Sequence, residues 1–499
     1  MHILALPDDI LFSVVLYLSI VDVLALRQTC RTLHAFGGND YLWHRLMSRF
    51  GLPLNLPTDV PLSSHATDIL QQEAIKAIRL ELNWRKPISH IHRSRSVSKG
   101  TREPYTHMQF LPGGKWLLTA QRYHRLLMTR HTTRMSVWSF DDVDNPHCVF
   151  RVELTGTYRS SALALKQNGA SAWLVLGIED DFQEFVEIRS ISLREDVDSA
   201  YLRRSSPSPE NWKRLELPFY PVLGDRSIQD VHLSEGVLVV TVAIFGEHND
   251  ISFHILLMDP EAGELRWVDP AFTKDFGLLQ VRIQHGKMYL LEQRHSTNYV
   301  HVYDVPFDAL DDKNSLLSRA PSVDTNLIDL GPELCRHTHS LPREVQSMAD
   351  MLHVPRAFTS NIPVTMFDVS GFSHHSGYTC HYPFDADTGE LPEKPVTSVW
   401  IPCRDDTSQQ LVQIGTTGRR MVWMEHELET GRNRVMKFQM AKEDWEGGEK
   451  LLVVHGYLLP SEPNLPFALN ACNCLAFDEV SGRLCLAFYD GGLHVLDFA

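Results

Sequence analysis

The chain has 499 residues, 43% of them hydrophobic and 22% charged, with a formal net charge of −15. Such a length holds about three domains of ordinary size, or one small domain and one large β domain, with ample apolar material for a core. The acidic balance excludes a global nucleic-acid binder, and eight cysteines are too sparse for a disulfide scaffold. Cys472 and Cys474, at i and i+2 of a strand, are expected to share one face as buried thiols in a reducing compartment.

Ile10 to Val21 is a nearly unbroken apolar run of 12 residues. Asp8 and Asp9 precede it where a signal peptide carries basic residues, and it stops at Asp22, short of the ~20 residues of a membrane span. It reads instead as a helix that needs covering. Leu6-Pro7-Asp8-Asp9 is a helix start, with proline where a missing N–H costs nothing and acids at the positive end of the dipole. Ile10, Leu11, Val14, Val15 and Leu18 follow at helical spacing, on a face wide enough for burial on more than one side.

Ser19 and Asp22 have capping-box spacing and open a second helix. It carries Val23, Leu24, Leu26, Thr29, Cys30 and Leu33, with Arg27 and Arg31 interleaved, and ends at Gly37-Gly38. A third starts near Asn39-Asp40, carries Leu42, Trp43, Leu46 and Phe50, and stops at Gly51. Three helices this short cannot bury so much apolar surface alone, so the excess predicts a partner surface.

Leu6-Pro7, Ile10-Leu11, Leu18, Asp22-Val23-Leu24, Cys30-Arg31 and Trp43 resemble the F-box pattern in order and spacing over residues 4–50. The one departure is Leu33, where the family usually has an aromatic after the Cys-Arg pair. The resemblance implies a scaffold that binds a Skp-type adaptor, and through it a cullin and a RING subunit, while the rest of the chain selects the target. On that reading Leu6, Pro7, Ile10, Leu18, Val23, Leu24, Leu26, Cys30, Arg31 and Trp43 form the adaptor face or hold it in shape. A generic helical bundle packed on the chain's own second domain is the alternative.

Residues 52–66 place Pro53, Pro57 and Pro61 among polar residues, a linker signature. A helix is predicted over 67–84, with Thr67 as cap and Leu70, Ala74, Ile78 and Leu82 as its apolar stripe; Pro87 ends it. It serves as a stiff spacer, or packs on the C-terminal domain, or both. Residues 85–134 hold eleven Lys or Arg against one acid, Glu103. A solvated surface accounts for most such runs, against a nuclear signal or a cationic patch for acidic or phosphorylated targets.

From Tyr105 onward the pattern changes to apolar runs of about 5–8 residues between turns, which argues for all-β structure. Pro112-Gly113-Gly114 and Asp490-Gly491-Gly492 are the clearest turns. A loose repeat ends strands in an acid: Val137 to Asp141, Leu256 to Asp259, His301 to Asp304 and Val495 to Asp497. At ~45–60 residues per four-stranded unit the region holds six to eight units, and it resembles a divergent WD-repeat β-propeller, with paired β-sandwiches left open. The expected class is therefore α plus all-β. A three-helix F-box occupies 1–51, a linker and connecting helix 52–100, and a propeller-like recognition domain 101–499 with an insertion at 306–361.

No P-loop, dinucleotide fingerprint, nucleophile elbow or H-E-x-x-H motif occurs. His337-Thr338-His339 and His374-His375 lack an acid or cysteine at ligand spacing. The sequence thus predicts a non-catalytic, cofactor-free substrate receptor of a Skp–cullin–F-box ubiquitin ligase. Its expected partners are the adaptor and an unidentified protein target, without membrane or nucleic acid, in cytoplasm or nucleus. An F-box scaffold outside a ligase and a propeller enzyme with a chance helical N-terminus are the alternatives.

Overall fold

The structure is a computed structural model. It describes residues 6–499 except 57–60, 99, 101–102, 124–131, 167–168, 194–211, 219–224, 247–250, 262–264, 269–277, 285, 295–296, 308–309, 311–326, 341–350, 354–360, 370–375, 386–396, 403–406, 417, 446–447 and 462–463.

Four short helices, not three, precede the linker: α1 Asp8–Val15, α2 Ile20–Arg27, α3 Arg31–Phe36 and α4 Asp40–Met47. The expected second helix breaks because Gln28 and Thr29 bond back only three residues and Cys30 swings to extended backbone at φ −157°. Ser19 and Asn39 cap α2 and α4, accepting from the amides of Asp22 and Leu42. Helix α5, Thr67–Trp84, matches its prediction in length, although Ala66 is the N-cap residue and the Thr67 hydroxyl bonds Asp40. Its buried face runs through Leu70, Ala74, Ala77, Leu80, Glu81 and Trp84, whereas Leu82, expected in the stripe, is 56% exposed.

The strands, among the described residues, form seven antiparallel meanders in a ring. Blades 1 to 6 follow chain order: β2–β5 (from Tyr105), β6–β9 (from Thr157), β10–β13 (from Asp225), β14–β16 with β18 (Leu278–Gln284 to Cys335–Ser340), β19–β22 (from Met351) and β23–β26 (from Thr407). Blade 7 takes β27 Cys472–Asp478, β28 Arg483–Phe488 and β29 Leu493–Asp497, and is completed by β1, Arg93–Ser98. The propeller therefore starts at Arg93, inside the expected linker. The expected insertion at 306–361 contains β18, β19 and a short β17, Leu327–Ile328, added in parallel to blade 3; the remainder lies largely outside the described residues.

Apolar layers between neighbouring blades make the core. Cys472 and Cys474 are buried, but a bulge between them places them in different layers, on either side of blade 7. Burial lifts their thiols to about 12 and about 11. The acid-ended repeat marks the third strand of blades 1, 3, 4 and 7. Asp141 pairs with Lys115 at 2.8 Å and Asp304 with Lys287 at 2.6 Å, while Asp497 faces Arg483 at 4.0 Å. Each cation stands where the second strand of the same blade begins.

Side chains also lace inner strands of neighbouring blades. Asn473 donates to the Tyr105 carbonyl at 2.6 Å, and the Gly113 amide donates to Asp478 at 3.2 Å. Gly113 and Gly114 sit at φ 90° and 65°, and a Cβ at Gly114 would meet the Ser481 hydroxyl at 2.0 Å, so only glycine fits this turn.

Helix α5 belongs to two cores. Leu70, Ala74 and Ala77 pack among the N-terminal helices; Leu80 and Trp84 pack between blades 6 and 7. Polar contacts lock the second half. Glu81 takes Arg420 Nη2 at 2.7 Å and Gln439 Nε2 at 2.6 Å, and Arg420 also donates to the Glu479 carbonyl at 3.1 Å. Asn83 donates to the carbonyls of His90 and Phe498. Lys437, fully buried, donates to the carbonyls of Trp84 at 2.8 Å and Lys86 at 2.6 Å and to the Ser89 hydroxyl at 2.7 Å, capping the helix.

Burial, then Arg420, pushes the Lys437 amine down to about 8. Its unfolded value is about 10.4, so the unfolded chain holds more protons between the two, and this group adds stability as pH rises through that window. The buried thiols act oppositely, so the readout is the difference between native protein and Lys437→Met. Urea unfolding from pH 7 to 10 is expected to show a gap between the two proteins that shifts in favour of native lysine with rising pH.

Candidate partner-docking surface

Helix α1 carries large apolar side chains both towards the core and towards solvent. Leu11 and Val15 point inward at 4% and 1% exposure. Phe12 packs on Phe36 and Tyr41 at ring separations of 4.5 and 5.9 Å. The outward face carries Pro7, Ile10, Val14 and, one turn on, Tyr17 at 89% exposure. Val21, in the first turn of α2, is 52% exposed. Positions 10, 14 and 17 follow the i, i+4, i+7 spacing of one helix face. Large apolar side chains in this arrangement, uncovered by the rest of the chain, mark an interaction surface.

The residues picked from sequence divide into three groups. Pro7, Ile10 and Arg31 are exposed. Leu6, Leu18, Leu24, Leu26 and Cys30 are half-buried, and all but Leu6 flank the helical core. Val23 and Trp43 are fully buried and shape the module without facing outward. Sequence reasoning missed Tyr17, Val21 and Tyr41 as surface groups; the width of the apolar face on α1 was the available signal. Leu33, in the family's usual aromatic position, is buried in the same core.

Two contacts fix the module. The Trp43 indole donates to the Gly37 carbonyl at 2.7 Å, closing the turn between α3 and α4. Arg27 donates to Gln71 at 2.6 Å and ties α2 to α5. Trp43→Phe keeps the ring and loses the bond, so it is expected to cost about 1–2 kcal/mol, read as a lower melting temperature.

Residues 3–49 match the family model described as F-box-like. This segment is an F-box-like domain. No curated protein matches the chain. The F-box-like domain is followed by a ring whose solved likenesses are propellers. The WD40 domain of coronin from Toxoplasma gondii shares 11% identity at a TM-score of 0.41, over 82% of this chain and 87% of that one. The WD40 domain of SCAP from fission yeast shares 7% at 0.36, over 81% and 94%. A sialidase from Trypanosoma rangeli shares 9% at 0.35, over 82% and 60%.

Among the described residues, basic side chains of the stretch after the F-box-like domain are spread over separate ion pairs. Arg93 and Arg95 meet Asp144, Lys115 meets Asp141, and Arg134 meets Glu103 and Glu153. Lys99, Arg102, Arg125 and Arg130 lie outside the described residues. Among the described residues no group of three His, Cys, Asp or Glu side chains converges as for a metal. His337 and His339 lie on β18, while His374-His375 is outside the described residues. No described helix is long and apolar enough to cross a membrane.

Proposed function

We propose that this chain is a non-catalytic substrate receptor of a Skp–cullin–F-box type ubiquitin ligase. The F-box-like domain docks a Skp-type adaptor through Pro7, Ile10, Val14, Tyr17 and Val21, and the propeller takes the target protein. The carrying observation is the exposed apolar stripe on a module of F-box type. Such anchors lose their hydration only against another protein, and each can contribute ~1–4 kcal/mol there. The propeller contributes turns at both ends of the ring, and a protein partner needs no cofactor or catalytic group from it. The cytoplasm or nucleus is the compartment this reading requires.

The test is co-expression with a Skp-type adaptor, followed by size-exclusion chromatography. A stoichiometric complex that also recruits a cullin supports the reading. Failure to co-elute overturns it. An adaptor complex that excludes the cullin assigns the chain to scaffolding outside a ligase.

A further inference from the structure

An antiparallel meander puts its first-to-second turn at one end of the ring and its second-to-third turn at the other. The N-terminal helical part of the molecule touches the first-to-second turns of blades 1, 6 and 7. Gly482 sits against Leu80, Gly113 against Asn55, and Arg419 donates to the Gly51 carbonyl. The second-to-third hairpins therefore point away from the F-box-like domain.

One of these hairpins breaks two local rules at once. Strands β7 Ser171–Asp180 and β8 Gln183–Ser192 are joined by Asp181 and Phe182 alone. Both residues lie in the left-handed region, at φ 50° and 65°. That is the signature of a tight turn that favours Asn-Gly, and a bulky aromatic is penalised there. Phe182 gains nothing from the fold in return, being 97% exposed. A residue that is strained and also fully hydrated is a candidate for function. Acids outnumber bases around it, four to two: Glu179 and the buried Glu184 pair with Arg159, Asp180 pairs with Arg214, and Asp181 lies in the turn itself. The hairpins of blades 6 and 7 repeat the pairing at the same end, with Leu428 beside Glu429 and Tyr489 beside Asp490, at 61% and 64% exposure.

We propose that Phe182 is a docking knob for the target, and that it takes a cationic protein segment with an apolar residue or pocket set among its lysines or arginines. The aromatic supplies the anchor and the acidic collar selects the charge. This rests on the receptor reading, since it names the chemistry of the target.

The experiment uses the full chain bound to its adaptor. The probes are a fluorescent peptide alternating Lys and Leu, and one of equal length and charge alternating Lys and Ser. Native protein is expected to prefer the Lys-Leu peptide. Phe182→Gly is expected to lose about tenfold on that peptide and nothing on the Lys-Ser peptide, while Phe182→Leu keeps the preference. Phe182→Gly is also expected to melt at a higher temperature, because glycine relieves the turn. Equal binding of both peptides by native protein, an unchanged affinity in Phe182→Gly, or a lower melting temperature in that variant overturns the proposal. Adaptor co-elution is followed in every variant; its absence in native protein refutes the receptor reading instead.

Discussion

Replacing Ile10 and Tyr17 together by aspartate is expected to weaken adaptor binding by about a hundredfold or more, since two interface anchors are lost and each 1.4 kcal/mol is a factor of ten. The fold is expected to survive. Both side chains are exposed, at 45% and 89%, and neither belongs to the helical core. Surface changes of this kind stay within about 0.5 kcal/mol. Titration calorimetry against the adaptor reads the first effect and thermal melting the second. The contrasting variant is Trp43→Ala. It removes a fully buried indole and is expected to cost about 3–5 kcal/mol, so it abolishes binding by unfolding the module. Undiminished adaptor affinity in the double aspartate variant would remove α1 from the interface.

Glu81→Leu is expected to cost about 3–5 kcal/mol of stability, because it takes from the buried Arg420 guanidinium the carboxylate to which it donates and leaves it the charge of Glu479. Arg420 and Glu81 retain 4% and 7% side-chain exposure, so water cannot replace the lost partner. A second change, Arg420→Leu in the same protein, is expected to recover part of the loss, since an apolar pair tolerates this burial better than one unpaired charge. Hydrogen exchange separates local from global effects. Amides from Leu80 to Trp84 are expected to exchange faster in Glu81→Leu, with those of α1 to α4 unchanged. Equal protection along the whole of α5 in that variant would show that its anchorage lies elsewhere.

The sequence disclosed most clearly those strands that are buried on both faces. Trp116-Leu117-Leu118-Thr119, Ala172–Ile178, Val237–Phe245 and Phe253–Met258 are second or third strands of their blades, and their apolar runs are continuous. First strands such as Asp225–Ser234 mix polar with apolar side chains, and the fourth strand His147–Thr155 is only partly buried, so neither reads as a continuous apolar run. Arg93–Ser98 shows the limit. Its alternation of Arg and Ser reads as solvated surface, yet backbone bonds to β29 place it in blade 7. The bulge in β27 was illegible for a related reason, because one extra residue reverses which face Cys474 meets.

The docking surface was half legible. Composition told that the first helices carry too many apolar groups, and the family pattern told where. Neither separated Ile10, which faces out, from Val23, which faces in. Tyr17 escaped because it lies beyond Val15, the last helical residue of α1, although its spacing continues the outer face of that helix. For α5 the i, i+4 rule selected Ile78 and Leu82, whereas the helix presents positions 80, 81 and 84 to its second partner.

Blade 7 pairs β29 with a strand about 400 positions earlier in the chain, at Arg93↔Asp497. Such closure carries a high contact order, so it comes late and depends on synthesis reaching the far end. The N-terminal helices have local contacts and need no such wait. A message cut short before β27 would thus yield a product with an intact adaptor plug and an open ring. If the chain is the receptor proposed above, that product would occupy ligase cores without delivering cargo, so the loss would fall on neighbouring receptors as well as on this one.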